Sequence, residues 1–363
     1  MSAAPSPITR ERLGAFLARA SADRLPLNGS IAMTNRCNLR CVHCYLGDER
    51  SPQSAARELD TAFWLSTIDQ IAEAGCLNLL ITGGEPFLRP DFAEVYTHAK
   101  RRGLLVTIFT NGTRFDEKLL RLFRELPPWF VEVSLYGASK ETYDEVTTVA
   151  GSYERCLAGI DALVGMGIRV GLKTVILRAN AHETSAMRAM AEAHGSGFRV
   201  DAAIFPTLGG NLSPIELRIP AAEAVSLEME DPRRLKGAID YYERMKDLPA
   251  GDKLFSCMAG LTTFHIEPSG RLQPCLMTGD HGFDLRCSSF REGWEALLGF
   301  RNIEAPPDWE CATCERRSIC GVCPAQTIRE TGSAAKKAGY YCELGREREL
   351  AMGRGIPLPA LGK

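Results

Sequence analysis

The sequence predicts an α/β fold built on parallel strands and followed by a smaller cysteine-rich α+β unit. Three observations carry this. Six short β-rich runs alternate with amphipathic helical patterns between residues 30 and 206. Repeated strand-then-helix units imply parallel strands joined by right-handed crossovers. Cysteines are dense at residues 37–44 and dense again after residue 256, outside the repeating region. With 363 residues, 45% hydrophobic and 24% charged, the chain is an ordinary globular one, long enough for a barrel plus an appendage. A formal net charge of −2 leaves no broad basic field, which excludes nucleic acid as an expected partner. The first 30 residues lack a signal pattern and no apolar run reaches a membrane span, so the expected location is the cytoplasm, with no membrane partner. Thirteen cysteines in a reducing compartment are expected as metal or cluster ligands rather than disulfides.

In chain order, residues 1–29 read as an N-terminal helical extension, with Thr9 as N-cap and Leu13, Phe16 and Leu17 on one face that is expected to pack on the main domain. Residues 30–206 hold strands expected at 30–34, 77–82, 104–109, 130–135, 169–177 and 199–205. Helices are expected to begin near Asp60, Asp91, Asp116, Ser139 and Ala181, with a further segment after Tyr153. Residues 207–255 read as a helical connector, with helices over 220–230 and 232–246. The cysteine-rich unit spans 256–345 and a tail 346–363.

Chemistry concentrates at the ends of the expected strands. Directly after the first lies Cys37-x3-Cys41-x2-Cys44. Three thiolates on a short loop can converge on three irons of a cubic cluster, leaving the fourth iron open to a substrate or cofactor. The alternatives are a zinc loop or three core cysteines, although zinc motifs usually pair Cys-x2-Cys with a second pair elsewhere. The second strand ends in Thr82-Gly83-Gly84-Glu85-Pro86, where glycines permit close backbone approach and a carboxylate can accept from an ammonium group. The third ends in Thr110-Asn111-Gly112 and the fourth in Ser134-Leu135-Tyr136-Gly137, sequences that turn chemistry alone would also explain.

The cysteine loop and the Gly-Gly-Glu-Pro run together resemble those of radical S-adenosylmethionine (SAM) enzymes. The resemblance implies a partial (β/α)6 TIM-like barrel, with the loop at the C-terminal ends of the strands where parallel barrels build their sites. It implies a [4Fe-4S] cluster on Cys37, Cys41 and Cys44 whose open iron chelates SAM. Gly83, Gly84, Glu85 and Pro86 would hold the SAM amino group, Ser134 the ribose or SAM tail, His43 the adenine, and Asn111 the pocket floor. Relatives often carry an Arg after the fourth strand for the SAM carboxylate, and this chain has Thr147-Thr148 there. Lys173, Arg178 and Asn180 are the candidates to replace it.

After residue 256 the spacing runs Cys257-x17-Cys275, then Cys311-x2-Cys314-x5-Cys320-x2-Cys323, then Cys342, too many thiols for one tetrahedral site. This resembles the SPASM extension, with Gly270 at a hairpin turn between the first two ligands. The resemblance implies two auxiliary [4Fe-4S] clusters, three in all: an inner one on Cys257, Cys275 and Cys323, and an outer one on Cys311, Cys314, Cys320 and Cys342. Relatives with a full inner set carry a further Cys where this chain has Met258-Ala259-Gly260, so the inner cluster is open, filled by substrate, or completed by Cys287, Asp280 or Asp284. Cys76 and Cys156 are expected as small core residues.

The implied function is reductive cleavage of SAM to a 5′-deoxyadenosyl radical that abstracts hydrogen from a peptide or protein in an oxidative modification, as in maturases of ribosomally made peptides. It calls for a flavodoxin or ferredoxin reductant. A leader-binding protein would be a separate chain. Two other functions remain open: a radical SAM enzyme acting on a small molecule such as a tetrapyrrole side chain, and a non-catalytic iron–sulfur electron-transfer or scaffold protein. Tyr45, Tyr136 and His265 are chemically able to act, and no catalytic acid or base is singled out.

Overall fold

The structure is a computed structural model that describes residues 10–50, 55–245 and 252–353. Its centre is one nine-stranded sheet in the order β6-β5-β4-β3-β2-β1-β7-β8-β9. Strands β1 (Asn28–Ala32), β2 (Asn78–Thr82), β3 (Leu105–Thr110), β4 (Phe130–Ser134), β5 (Val170–Val175) and β6 (Gly197–Asp201) are parallel, each paired with the next. These are the six parallel strands with crossover helices that the alternating pattern predicts, in the partial (β/α)6 barrel that the resemblance implies. Strand β7 (Thr263–Ile266) then adds parallel to β1, pairing Ser30 with His265, and β8 (Arg271–Gln273) and β9 (Phe283–Asp284) follow antiparallel. The cysteine-rich part thus extends the barrel's own sheet and covers the β1 edge, which would otherwise present unpaired backbone groups.

The helices form where cap residues and apolar spacing coincide. Asp60 accepts from the Phe63 amide at 3.0 Å to open α2 (Thr61–Glu73), and Asp116 from Leu119 at 2.8 Å to open α4 (Glu117–Glu125). Ser139 opens α5 (Lys140–Thr147) in the same way, and α6 (Ser152–Gly165) follows it. Asp91 precedes α3 (Phe92–Arg101) without capping it, because Arg89 grips its carboxylate at 2.6 and 2.8 Å and Thr61 donates to it. After β5 the chain makes one 3-10 turn, Ala181–Glu183, before α7 (Thr184–Ala193). Trp64, Ile68 and Ile71 of α2 are fully buried against Ile31, Leu79 and Ile81. Burial of each such side chain contributes about 2 kcal/mol. Cys76 and Cys156 lie in this core, as expected.

Three features differ from expectation. The N-terminal helix α1 (Arg10–Ala22) leaves Leu13, Phe16 and Leu17 nearly half exposed instead of packing them, while Thr9 lies outside the described residues. The chain after α1 is held by Arg24, whose guanidinium stacks over Trp294 and donates to Trp294 O, while the Trp294 indole N–H donates to Arg24 O. Strand β1 begins and ends two residues earlier than expected, because Thr34 turns out of the ladder and accepts from the Arg36 amide. Strand β6 stops at Asp201, whose carboxylate takes the Ala203 amide.

Beyond the barrel, α8 (Ala221–Met229) and α9 (Pro232–Met245) form the connector. The last helix, α13 (Gly339–Gly353), runs past residue 345 and is tied to α8 by a fork from Arg348 to the buried Glu228. Between them in chain order come α10 (Phe290–Ala296), α11 (Leu298–Arg301) and α12 (Pro324–Thr331).

Candidate functional site

The loop carrying Cys37, Cys41 and Cys44 is clamped from two sides. On one, the Gly84 amide donates to Thr34 O at 2.7 Å and the Glu85 amide to Arg36 O at 2.8 Å. On the other, the Arg40 and Val42 amides donate to Thr147 O and Val146 O at 3.0 Å, and the Thr148 hydroxyl to Arg40 O. Below, Glu58 gathers Thr34, Arg36 and Arg89. The Thr147-Thr148 pair is therefore part of the loop's support rather than of the cavity wall.

The clamp explains the two glycines in physical terms. A Cβ on Gly83 would stand 2.2 Å from Thr34 O, and one on Gly84 2.2 Å from Arg36 O. Gly83 also has φ +147°, a conformation side chains disfavour. The close approach these glycines permit is that of the cysteine loop's own backbone.

Cys37, Cys41 and Cys44 line one cavity of about 360 Å³ at the C-terminal ends of the strands, together with Gly83, Gly84, Asn111, Ser134 and His43. Five of the expected SAM-contacting residues are thus brought together with the three thiols. The other two are not: Glu85 and Pro86 are buried behind the wall. The Glu85 carboxylate accepts from the Thr110 hydroxyl at 2.9 and 3.0 Å and from the Asn111 amide at 2.8 Å, and so ties the end of β2 to the end of β3. Burial pushes its pKa up to about 7, against the pull of those donors.

Burial also pushes the Cys37 thiol up to about 11 and raises Cys41, with the neighbouring cysteines adding to the latter. Thiols gathered in this way are costly to ionise unless a bound cation compensates, which iron does. Among the described residues no group of His, Cys, Asp or Glu is gathered tightly enough for a single metal ion. Three sulfurs spread along a cavity wall fit a polynuclear group, in which each thiolate has its own iron. His43 lies edge-on to Tyr136 at 4.7 Å, its Nδ1 unpartnered, and burial lowers its pKa to about 4, so the ring is neutral.

Of the three candidates for the SAM carboxylate, only Lys173 reaches the cavity. It sits beside Ser134 in the sheet register, 3.2 Å from Glu132 and over the Phe109 ring, and burial holds its pKa down to about 8. Arg178 is exposed and bonded to Arg218 O. Asn180 is fully buried and braces Leu177, Tyr136 and Val175. Arg199, which forks onto Glu132 at 3.0 and 2.9 Å, lines the same cavity and was not anticipated. Its signal was present in the alternation of β6, which places Arg199 beside Lys173.

A second, wider cleft of about 730 Å³ adjoins the first and shares Tyr45, Leu46, Thr82, Gly83 and Leu276 with it. Its far wall is the β7–β8 hairpin, which turns at Gly270 with φ +84°, as the spacing predicted.

The later cysteines fall into two groups. Cys311, Cys314, Cys320 and Cys342 line one cavity of about 220 Å³. Cys257, Cys275 and Cys323 form the other: the Cys323 thiol is raised by burial and further by Cys275 and Cys257. Cys287 is exposed, and Asp284 is occupied by a fork from Arg286.

Residues 31–191 match the radical SAM superfamily. They form a radical SAM domain. Along most of its length the chain is similar to AdoMet-dependent heme synthase of Methanosarcina barkeri, 27% identical over 85% of this chain and 94% of the relative. It is also similar to PqqA peptide cyclase of Gluconobacter oxydans, 29% identical over 85% and 88%. Among solved structures, SuiB of Streptococcus suis bound to the precursor peptide SuiA superposes with a TM-score of 0.71 at 17% identity, covering 94% of this chain and 83% of SuiB. Native anSMEcpe with bound AdoMet gives 0.70 at 16% identity, covering 91% and 98%. The radical SAM domain and the cysteine-rich part that extends its sheet therefore share one fold with these proteins.

Proposed function

We propose that this chain is a peptide-modifying radical SAM enzyme, a maturase of ribosomally made peptides. The observation that carries the reading is the pairing of two cavities: one walled by three thiols, and beside it an open cleft with room for a peptide segment. PqqA peptide cyclase and peptide-bound SuiB support the choice of a peptide. Cys37, Cys41 and Cys44 would hold the cluster, with Gly83, Gly84, Ser134, His43 and Asn111 around SAM. When bound and reduced by a flavodoxin or ferredoxin, that cluster would supply the electron for reductive cleavage of SAM, the source of the radical that would take hydrogen from the substrate. Lys173 is placed to meet the SAM carboxylate in the role that Thr147-Thr148 cannot fill, its charge stabilised by Glu132.

Cys257, Cys275 and Cys323 would hold an inner auxiliary cluster and Cys311, Cys314, Cys320 and Cys342 an outer one, a path for the electron that an oxidative modification releases. The inner group counts three thiols, and Asp280, on the wall of the wide cleft, would be a carboxylate to complete it. The protein works in the cytoplasm; among the described residues no helix is long and apolar enough to cross a membrane. The heme synthase relative favours a second reading, in which the same cleft takes a small molecule such as a tetrapyrrole side chain.

The test is iron content and 5′-deoxyadenosine formation after anaerobic reconstitution and dithionite reduction, in wild type and in Cys37→Ala/Cys41→Ala/Cys44→Ala. About twelve irons falling to about eight, with SAM cleavage lost, is the expected result. About four irons in wild type, or cleavage by the variant, overturns the ligand assignment, and a reconstituted wild type that does not cleave SAM returns the chain to a scaffold role.

A further inference from the structure

The hairpin wall of the wide cleft carries a side chain whose bonding is unfinished. His265, on β7, is 3% exposed and lines the cleft. Its Nδ1 is 3.1 Å from the hydroxyl of Ser30, its register partner on β1, and Ser30 in turn lines the cysteine cavity. The ring is thus one hydrogen bond away from that cavity. The other nitrogen, Nε2, is buried and has no partner among the described residues. A buried polar atom left in this state is costly, and its occurrence in a native fold calls for an occupant. Burial lowers the ring's pKa to about 4, so it is a neutral hydrogen-bonding group rather than a cation.

Its neighbour supplies the complement. Gln273 on β8 pairs with His265 across the hairpin, is 2% exposed, and lines the same cleft. Its amide nitrogen is committed to Glu267 at 2.8 Å, and Ser269 donates to the other oxygen of Glu267 at 2.6 Å. That commitment uses one N–H, orients the carboxamide and leaves its carbonyl oxygen as the acceptor Gln273 has to offer. The wall therefore presents an imidazole nitrogen and a carbonyl oxygen side by side, fixed from behind by Ser30 and by Glu267.

Several other polar groups on this wall are engaged, although the Arg329 Nε is itself buried without a partner among the described residues. Asp284 is held by Arg286, Glu58 by Arg36 and Arg89, and the Arg329 guanidinium donates to Leu208 O and Met277 O. His43, the other buried imidazole with a free nitrogen, stands between two cysteines of the loop and belongs to the first cavity.

We propose that His265 and Gln273 form an amide-reading subsite, which holds a main-chain or side-chain amide of the substrate by one donor and one acceptor. The inference rests on the peptide reading above and deepens it, because a peptide presents an amide at every residue whereas a tetrapyrrole side chain presents none. Anchored at this wall, an amide fixes which neighbouring C–H faces the boundary shared with the cysteine cavity. His265 and Gln273 act as positioning residues for hydrogen abstraction.

The experiment is a titration of the full-length protein, its histidine rings labelled with carbon-13 and the His265 signal assigned by its loss in His265→Gln. The probes are N-acetylglycine N-methylamide and, separately, sodium acetate. A saturable shift of the His265 ring signal with the amide and none with acetate is the expected result. In Gln273→Met, which removes the acceptor and keeps the volume, the apparent Kd for the amide rises about tenfold. A shift with acetate makes the subsite a carboxylate or general anion site and overturns the proposal. Absence of a shift with either probe overturns it as well, and so does an unchanged Kd in Gln273→Met. None of these readouts depends on SAM cleavage, so failure here is distinguishable from failure of the iron and 5′-deoxyadenosine test.

Discussion

Gly84→Ala is the sharpest test of how the site is built. The new methyl group would stand 2.2 Å from Arg36 O, below any tolerated contact, so strand end and cysteine loop must separate by about an ångström. Both hydrogen bonds of the clamp are lost or stretched: Gly84 N–H to Thr34 O at 2.7 Å and Glu85 N–H to Arg36 O at 2.8 Å. At about 1 kcal/mol each, the cost is about 2 kcal/mol of stability, which lowers Tm by several degrees. The larger effect is on chemistry, because the displaced segment carries Cys37 next to Arg36. A misplacement of about one ångström in a reacting geometry costs about 100-fold in rate. The assay is 5′-deoxyadenosine formation per reconstituted cluster, with Tm measured on the same preparations. Gly165→Ala serves as control, since a Cβ there meets no atom within 4 Å and a helical Ala is favoured. SAM cleavage by Gly84→Ala within threefold of wild type would refute the account of the glycines as spacers for the loop.

The remaining predictions concern charge. Lys173→Met removes a charge-assisted hydrogen bond of about 2 kcal/mol, so the Kd for SAM measured by equilibrium dialysis rises about 30-fold, while Arg199 still neutralises Glu132 and keeps the fold. In wild type the same affinity falls as pH rises through about 8, where Lys173 loses its charge. Glu85 has a folded pKa of about 7 against 4.5 when unfolded, so the folded state holds the extra proton between these values and stability drops as pH rises across that window. The drop is about 3 kcal/mol by urea unfolding, and Glu85→Gln abolishes it. Arg348→Ala strands Glu228, 1% exposed, with Arg234 as its remaining cation, and removes donors to Ile319 O and Cys320 O. Its cost is about 3 kcal/mol, and iron content falls toward eight as the outer cysteines lose their support.

The barrel was legible because alternation and capping are local: Asp60, Asp116 and Ser139 cap where the sequence places them. Asp91 does not, since Arg89 two residues away competes for its carboxylate, and no propensity ranks a cap against an ion pair. The apolar stripe of α1 has helical spacing, but spacing does not say whether anything covers it. The parallel pairing of β7 with β1 joins residues such as Ser30 and His265 that are distant in sequence, and no local pattern encodes it. Glu85 was read as holding the SAM amino group because Gly83-Gly84-Glu85-Pro86 resembles the run that does so in radical SAM enzymes. The Thr110 hydroxyl and Asn111 amide, both from the next strand, turn it inward instead.

The cysteine spacing was more informative than its linear order. Cys320 and Cys323 are separated by two residues, yet Cys320 lines the cavity with Cys311, Cys314 and Cys342, while Cys323 is coupled to Cys275 and Cys257. Gly321 adopts φ +74° between them, and Pro324 starts α12 directly after Cys323, so the backbone leaves the helical path between the two thiols. A continuous helix through this segment would put residues three apart on the same face and send both thiols to one site. The left-handed glycine and the proline prevent that, and a stretch of four residues serves two groups of cysteines.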